Sequence, residues 1–354
     1  MPLTSKTTAL GYVLGSSNVI NPPPPAASVT ISSITTNSGS YTGNRLSTAS
    51  NNLQSGDGLL VGTSTYLGTN YNVFAFGQTA STLTYTINYT CNTACNISVL
   101  AVGGGGTGLR LNNPFQGTGG GGGGGVAMKT VALAANTTNT INISCGVGAI
   151  NNINDNPGGT TTVTINANTL LNVIAGGGGN GADGDVTKGF NGSVNGGSGG
   201  GGGGYSGYVR TGGLKNISNG NYANDGGTTL GGWQGAGGGG AGEVGNGNGN
   251  GGIGIKCTLN GIAQFTPTSL YSNFGGYYWG GGGAGGNGGV TVGGNGGGGG
   301  AGGTGAGGSG IYNGSSAPTG NGGPNTGGGG GGEDYANGTG GNGGSGIVVI
   351  AFPI

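Results

Sequence analysis

From about residue 82 the chain shows short β-type runs at 83–89, 97–102, 126–133, 140–144, 160–165 and 170–175, in several of which apolar and polar residues alternate. Alternation with period two places one side of each run on a core and the other toward water, which predicts half-buried β-strands. The run at 347–352 is different. It reads IVVIAF with no polar interruption, which predicts a strand covered on both faces or at the centre of a sheet. The end of the chain must therefore return to the sheet built by the earlier runs.

Between residues 175 and 347 apolar runs all but vanish, and blocks of consecutive glycine take their place at 176–179, 199–204, 237–240, 280–283, 296–300 and 327–332. Longer, less glycine-rich segments at 205–230, 256–279 and 311–325 separate some of the blocks and carry most of the late aromatic residues. Of the 102 glycines in 354 residues, nine precede residue 101. Uninterrupted runs such as 119–125 exclude the strict Gly-X-Y period of collagen.

Ordering six glycines costs about 6–12 kcal/mol of backbone entropy, and there are no side chains to offset it. Only N–H and C=O groups can do so, each net hydrogen bond contributing about 0.5–1.5 kcal/mol. The extended helix of three residues per turn points all of these groups outward, so several such helices side by side can saturate one another. A six-residue block would be roughly 19 Å long in that geometry. Interior helices of such a bundle require unbroken glycine, whereas outer ones tolerate Asn, Ser, Thr or Ala on one face. The competing reading is a flexible glycine linker, which would leave 347–352 without a sheet to join.

Residues 1–80 are rich in Ser, Thr and Asn and contain Pro22, Pro23, Pro24 and Pro25, a stiff polyproline spacer. The expected organisation is an extended anchoring or assembly region over 1–80, a β-rich part over 81–175, and a polyglycine II bundle with exposed loops and a returning strand over 176–354. The fold class is all-β plus irregular: a sheet or small sandwich capping polyglycine II helices, with essentially no α-helix.

Charge and chemistry narrow the function. Eight basic and eight acidic residues give a net charge of zero, and there is no histidine. No electropositive stripe exists to follow a phosphate backbone, so no nucleic-acid partner is expected. The longest apolar stretch, 347–354, is too short for a membrane span, so no membrane insertion is expected. Without histidine, Ser-His-Asp and Cys-His arrangements are impossible, and the acids are scattered apart from Asp183/Asp185 and Glu333/Asp334. No enzyme activity, cofactor or metal is expected. The stretch 178–185 approaches one calcium β-roll repeat but lacks its apolar position, and one copy builds no roll. Cys91 and Cys95 lie close enough in sequence to bridge under oxidising conditions or to remain buried thiols, while Cys145 and Cys257 stand alone. The strongest surface signal is aromatic: Tyr205, Tyr208, Trp233, Tyr277, Tyr278, Trp279 and Tyr335 are candidate glycan or host-surface contacts. The alternative is that these rings seal the edge of the glycine bundle.

Four stretches carry a family resemblance: SVLAVGGGG at 98–106, the glycine run 119–125 followed by VAMKTVAL, VIAGGGG at 173–179, and GIVVI at 346–350. Over roughly 82–352 the sequence resembles the glycine-rich domain of phage tail-fibre adhesins and of surface proteins of some large viruses and marine microbes. The resemblance implies a rigid polyglycine II scaffold whose loops bind a host surface. The expected function is a structural virion surface protein, of tail-fibre, adhesin or capsid-decoration type. Its expected location is the virion surface or the extracellular space. Its partners would be a host receptor, glycan or outer-membrane protein, and sister or other virion subunits held through the N-terminal arm in a homo-oligomer. A self-assembling extracellular filament subunit is the alternative, and an ice-binding protein a more distant one.

Overall fold

The computed structural model describes residues 29–36, 39–42, 59–77, 84–109, 117–150, 157–166, 168–182, 189–264, 278–286, 320–332 and 340–354. The Pro22 to Pro25 tract and the glycine block at 296–300 lie outside these residues. No α-helix occurs among them.

Two antiparallel sheets pack face to face. One has the order β10 (Asn168–Ala175), β9 (Thr161–Ile165), β8 (Thr137–Ser144), β5 (Thr84–Cys91), β1 (Val29–Thr36), β2 (Gly39–Thr42). The other runs β3 (Leu59–Tyr66), β4 (Thr69–Phe76), β13 (Ile347–Pro353), β6 (Cys95–Val102), β7 (Val126–Leu133). The alternating strand β5 turns Tyr85, Ile87, Tyr89 and Cys91 inward, where they meet Phe74, Phe76, Val99, Ile350 and Phe352 of the facing sheet. Phe352 stands edge-on to Phe74 at 5.7 Å, and Tyr85 to Phe76 at 5.0 Å.

The returning strand β13 lies between β4 and β6, at the centre of its sheet. Val348, Ile350 and Phe352 fill the sandwich core. Ile347, Val349 and Ala351 enter a second apolar cluster on the outer face with Val73, Leu100, Ile262 and Trp279. That is why the run carries no polar residue: both faces are covered.

The described parts of 29–76 differ from the extended arm expected of this region. Strand β1 pairs with β5 and β4 with β13, so they are integral to the two sheets. Strand β1 buries only Val29 and Ile34, and β3 and β4 meet in a tight turn at Leu67 and Gly68, both with positive φ.

The sandwich strands continue directly into the glycine segments: β6 into 103–109, β10 into 176–182, and 117–125 and 340–346 into β7 and β13. Residues 119–125 form the centre of a lattice. The N–H groups of Gly119, Gly122 and Gly125 donate to the carbonyls of Ala182, Gly179 and Gly176; those of Gly120 and Gly123 to Ala236 and Gly239; those of Gly121 and Gly124 to Gly330 and Gly327. In return the carbonyls of Gly120 and Gly123 accept from Gly201 and Ser198, those of Gly122 and Gly125 from Gly106 and Gly103, and that of Gly121 from Gly283. Partners recur at every third residue, the period of a polyglycine II helix. The glycine run placed by sequence in the β-rich part is thus the axis of the bundle, and among the described residues six other segments are bonded to it. A Cβ added anywhere on 119–125 would lie 2.0–2.7 Å from a neighbouring carbonyl oxygen.

The surrounding segments do admit side chains. Ala182, Ala236 and Ala284 are fully buried, as is Ser198. Outer-helix positions therefore accept small side chains even where no solvent reaches them.

Candidate binding surface at the far end of the lattice

The hydrogen-bond register locates each loop along the bundle. Gly103 meets Gly125 beside the sandwich, and Gly106 meets Gly122 further out, so 109 and 117 mark the far end. Gly204 and Gly117 exchange N–H···O bonds of 2.7 and 3.2 Å, and Thr118 accepts from Gly286, which itself accepts from Gly235. The loops that follow Gly204 and precede Gly235 therefore both stand at the end away from the sandwich.

These two loops bring Tyr205, Tyr208 and Trp233 together. The Tyr205 ring lies 5.3 Å from Tyr208 and 5.9 Å from Trp233, the latter edge-on. The loops are tied by the Gly207 N–H to the Gly231 carbonyl at 2.9 Å, and by a pair of bonds between Arg210 and Thr229. Gly207 and Gly231 have φ of +80° and +83°, a turn conformation that residues bearing a Cβ rarely adopt. Tyr208 is 55 % and Trp233 38 % exposed, and Val209 and Leu230 beside them are more exposed still. The result is an apolar patch on a stiff base.

The other aromatic candidates lie elsewhere. Tyr278 and Trp279 form the short strand β12 (Tyr278–Trp279), paired with β11 (Ile255–Lys256). A Cβ added to the adjoining Gly280 would meet Gly124 and Val126, so this pair sits at the sandwich end. Trp279 is buried in the second apolar cluster and presents no ring to a ligand; neighbouring strand residues face opposite sides, which leaves Tyr278 outward with Lys256 over its ring at 5.0 Å. Tyr277 and Tyr335 fall outside the described residues. Arg210, absent from the sequence-based set, has its guanidinium carbon 5.1 Å from the Tyr208 ring centroid. The signal that could have found it is its position two residues after Tyr208 in an otherwise nearly uncharged segment.

The described residues hold no cluster of three or more His, Cys, Asp or Glu side chains. Cys91 and Cys95 flank the turn that carries the chain from one sheet to the other, with sulfurs 3.2 Å apart and both free. Burial, reinforced by the Cys91 contact, pushes the Cys95 thiol up to about 12; burial does the same for Cys145, and lifts Cys257 to about 11. These thiols are protonated at neutral pH, and the thiolate that reacts or binds metal is scarce. Diamide treatment is expected to remove two hydrogens and join Cys91 to Cys95 alone, read by peptide mass mapping; a bridge to Cys145 or Cys257 would contradict the packing.

Residues 77–353 match the model of a family described as a glycine-rich domain. No curated protein and no solved structure matches the chain.

Proposed function

The chain belongs to the glycine-rich domain family, and we propose that it is a structural, non-enzymatic surface protein of a virion, of tail-fibre or capsid-decoration type, that attaches its particle to a host surface. One observation carries this reading: the half-buried Tyr205 and the exposed Tyr208 and Trp233 stand together at the end of the glycine lattice opposite the sandwich. A lattice bonded through its backbones holds such loops in place before binding, so little ordering entropy is lost on contact. The sandwich, which takes in the N-terminal strands, is the natural end for anchoring to the particle or to sister subunits.

The test is adsorption of labelled full-length protein to a panel of whole cells. Tyr208→Ala with Trp233→Ala is expected to lower adsorption at least tenfold, the effect of losing about 1.5 kcal/mol or more from hot-spot rings, with the melting temperature unchanged. Unchanged adsorption with a lowered melting temperature would mean that the rings only seal the lattice.

A second reading, a self-assembling filament subunit, is favoured by β3, an eight-residue strand with no charged residue and no proline that is outermost in its sheet among the described residues. Such edges pair readily with another chain. Micrographs of purified protein showing long fibres would select it.

A further inference from the structure

Arg210 is the one cation among the described residues placed with the aromatic group at the far end of the lattice. Its backbone is fixed by the bond from its N–H to the Thr229 hydroxyl at 2.8 Å and by the Thr229 N–H donating to its carbonyl at 2.8 Å. Its guanidinium lies over Tyr208, and its Nε is shielded from water without a hydrogen-bond acceptor. No carboxylate among the described residues neutralises it. Asp225 and Glu243, the described acids, sit on segments in register with Gly245 and Gly240, toward the sandwich.

The arrangement joins two kinds of recognition. Exposed Tyr and Trp rings offer flat apolar faces against which the C–H face of a pyranose can stack. A guanidinium offers a planar fork of donors that matches a carboxylate, and none of the described carboxylates competes for it. A single cation cannot follow a phosphodiester chain, which is held by many phosphate contacts. We propose that Tyr205, Tyr208, Arg210 and Trp233 form a site for an acidic sugar, a pyranose bearing a carboxylate, with its ring on the aromatic faces and its carboxylate on Arg210. This rests on the attachment reading above and specifies the ligand class.

The experiment measures binding of the full chain to oligogalacturonate, oligomannuronate and sialyllactose, each beside its carboxyl-reduced counterpart, with a sulfated galactan as a further arm. At least one acidic probe is expected to bind, and its carboxyl-reduced form about tenfold or more weaker, as for loss of a charge-assisted hydrogen bond. Arg210→Gln should reproduce that loss for the acidic probe alone, and Arg210→Lys should restore part of it. The melting temperature of Arg210→Gln reports whether the loops remain folded. Equal binding of acidic and reduced probes, binding of the sulfated galactan alone, or full binding by a folded Arg210→Gln variant would overturn the proposal. If no acidic probe binds while cells still adsorb the protein through Tyr208 and Trp233, the ligand class is wrong and the attachment reading stands; if cells do not adsorb it either, both fall.

Discussion

Gly121→Val is expected to abolish cooperative melting of the whole chain. A Cβ at this position would sit 2.3 Å from the Gly106 oxygen and 2.6 Å from its carbonyl carbon, and both obstacles are backbone. In an ordinary core a neighbouring side chain changes rotamer to make room. Here the neighbours have no rotamers, so whole helices must separate. Gly121 also donates to Gly330 and accepts from Gly283, and parting the segments strands those groups. Overpacking at about 1–3 kcal/mol together with two unpaired buried groups at about 1–3 kcal/mol each gives a loss of roughly 3–9 kcal/mol. That is comparable to the whole stability of a typical domain, about 5–15 kcal/mol. The control is Gly232→Ala in the far loop, where an added Cβ meets nothing within 4 Å; it should change stability by no more than about 0.5 kcal/mol. Calorimetry on the two variants separates a packed lattice from a glycine tether, since a tether would treat both substitutions alike.

Deleting residues 347–354 is expected to have an equally large effect by a different route. Strand β13 pairs along its length with β4 on one side and β6 on the other. Its loss would open a gap in the middle of the five-stranded sheet and strip Val348, Ile350 and Phe352 from one apolar cluster and Ile347, Val349 and Ala351 from the other. Fully burying side chains of this size contributes about 1.5–3 kcal/mol each, so the sheet does not survive the removal. Because β6 and β7 lead straight into 103–109 and out of 117–125, the lattice should fail with it. The truncated chain is expected to be insoluble or rapidly degraded by a nonspecific protease; a soluble, cooperatively melting product would show that the two parts fold separately.

Much of the sandwich was legible because alternation is a side-chain signal. The runs from 83–89 to 170–175 all became strands, and the unbroken IVVIAF run specified its own central place. Strands β1, β3 and β4 were harder to see. They lie in a Ser-, Thr- and Asn-rich stretch whose composition resembles a linker, although VFAF in β4 carries the same signature as β13. That glycine blocks must pack backbone to backbone followed from the absence of Cβ atoms. Which block neighbours which did not, because glycine carries no pattern to match and the register comes from the strands that feed the lattice. The binding surface was legible only in part. Tyr205, Tyr208 and Trp233 meet in space, yet Tyr278 and Trp279 are held at the opposite end by pairing with Ile255 and Lys256. A two-residue strand leaves too short a pattern to read.

Hydrogen exchange at the amides of residues 119–125 reads the integrity of the lattice at its axis. Every one of these N–H groups is donated to a carbonyl of another segment, so the account predicts exchange only through global unfolding, as slow as in the sandwich strands β5 and β6. Exchange at the rate of an unstructured glycine peptide, while β5 and β6 remain protected, would contradict it.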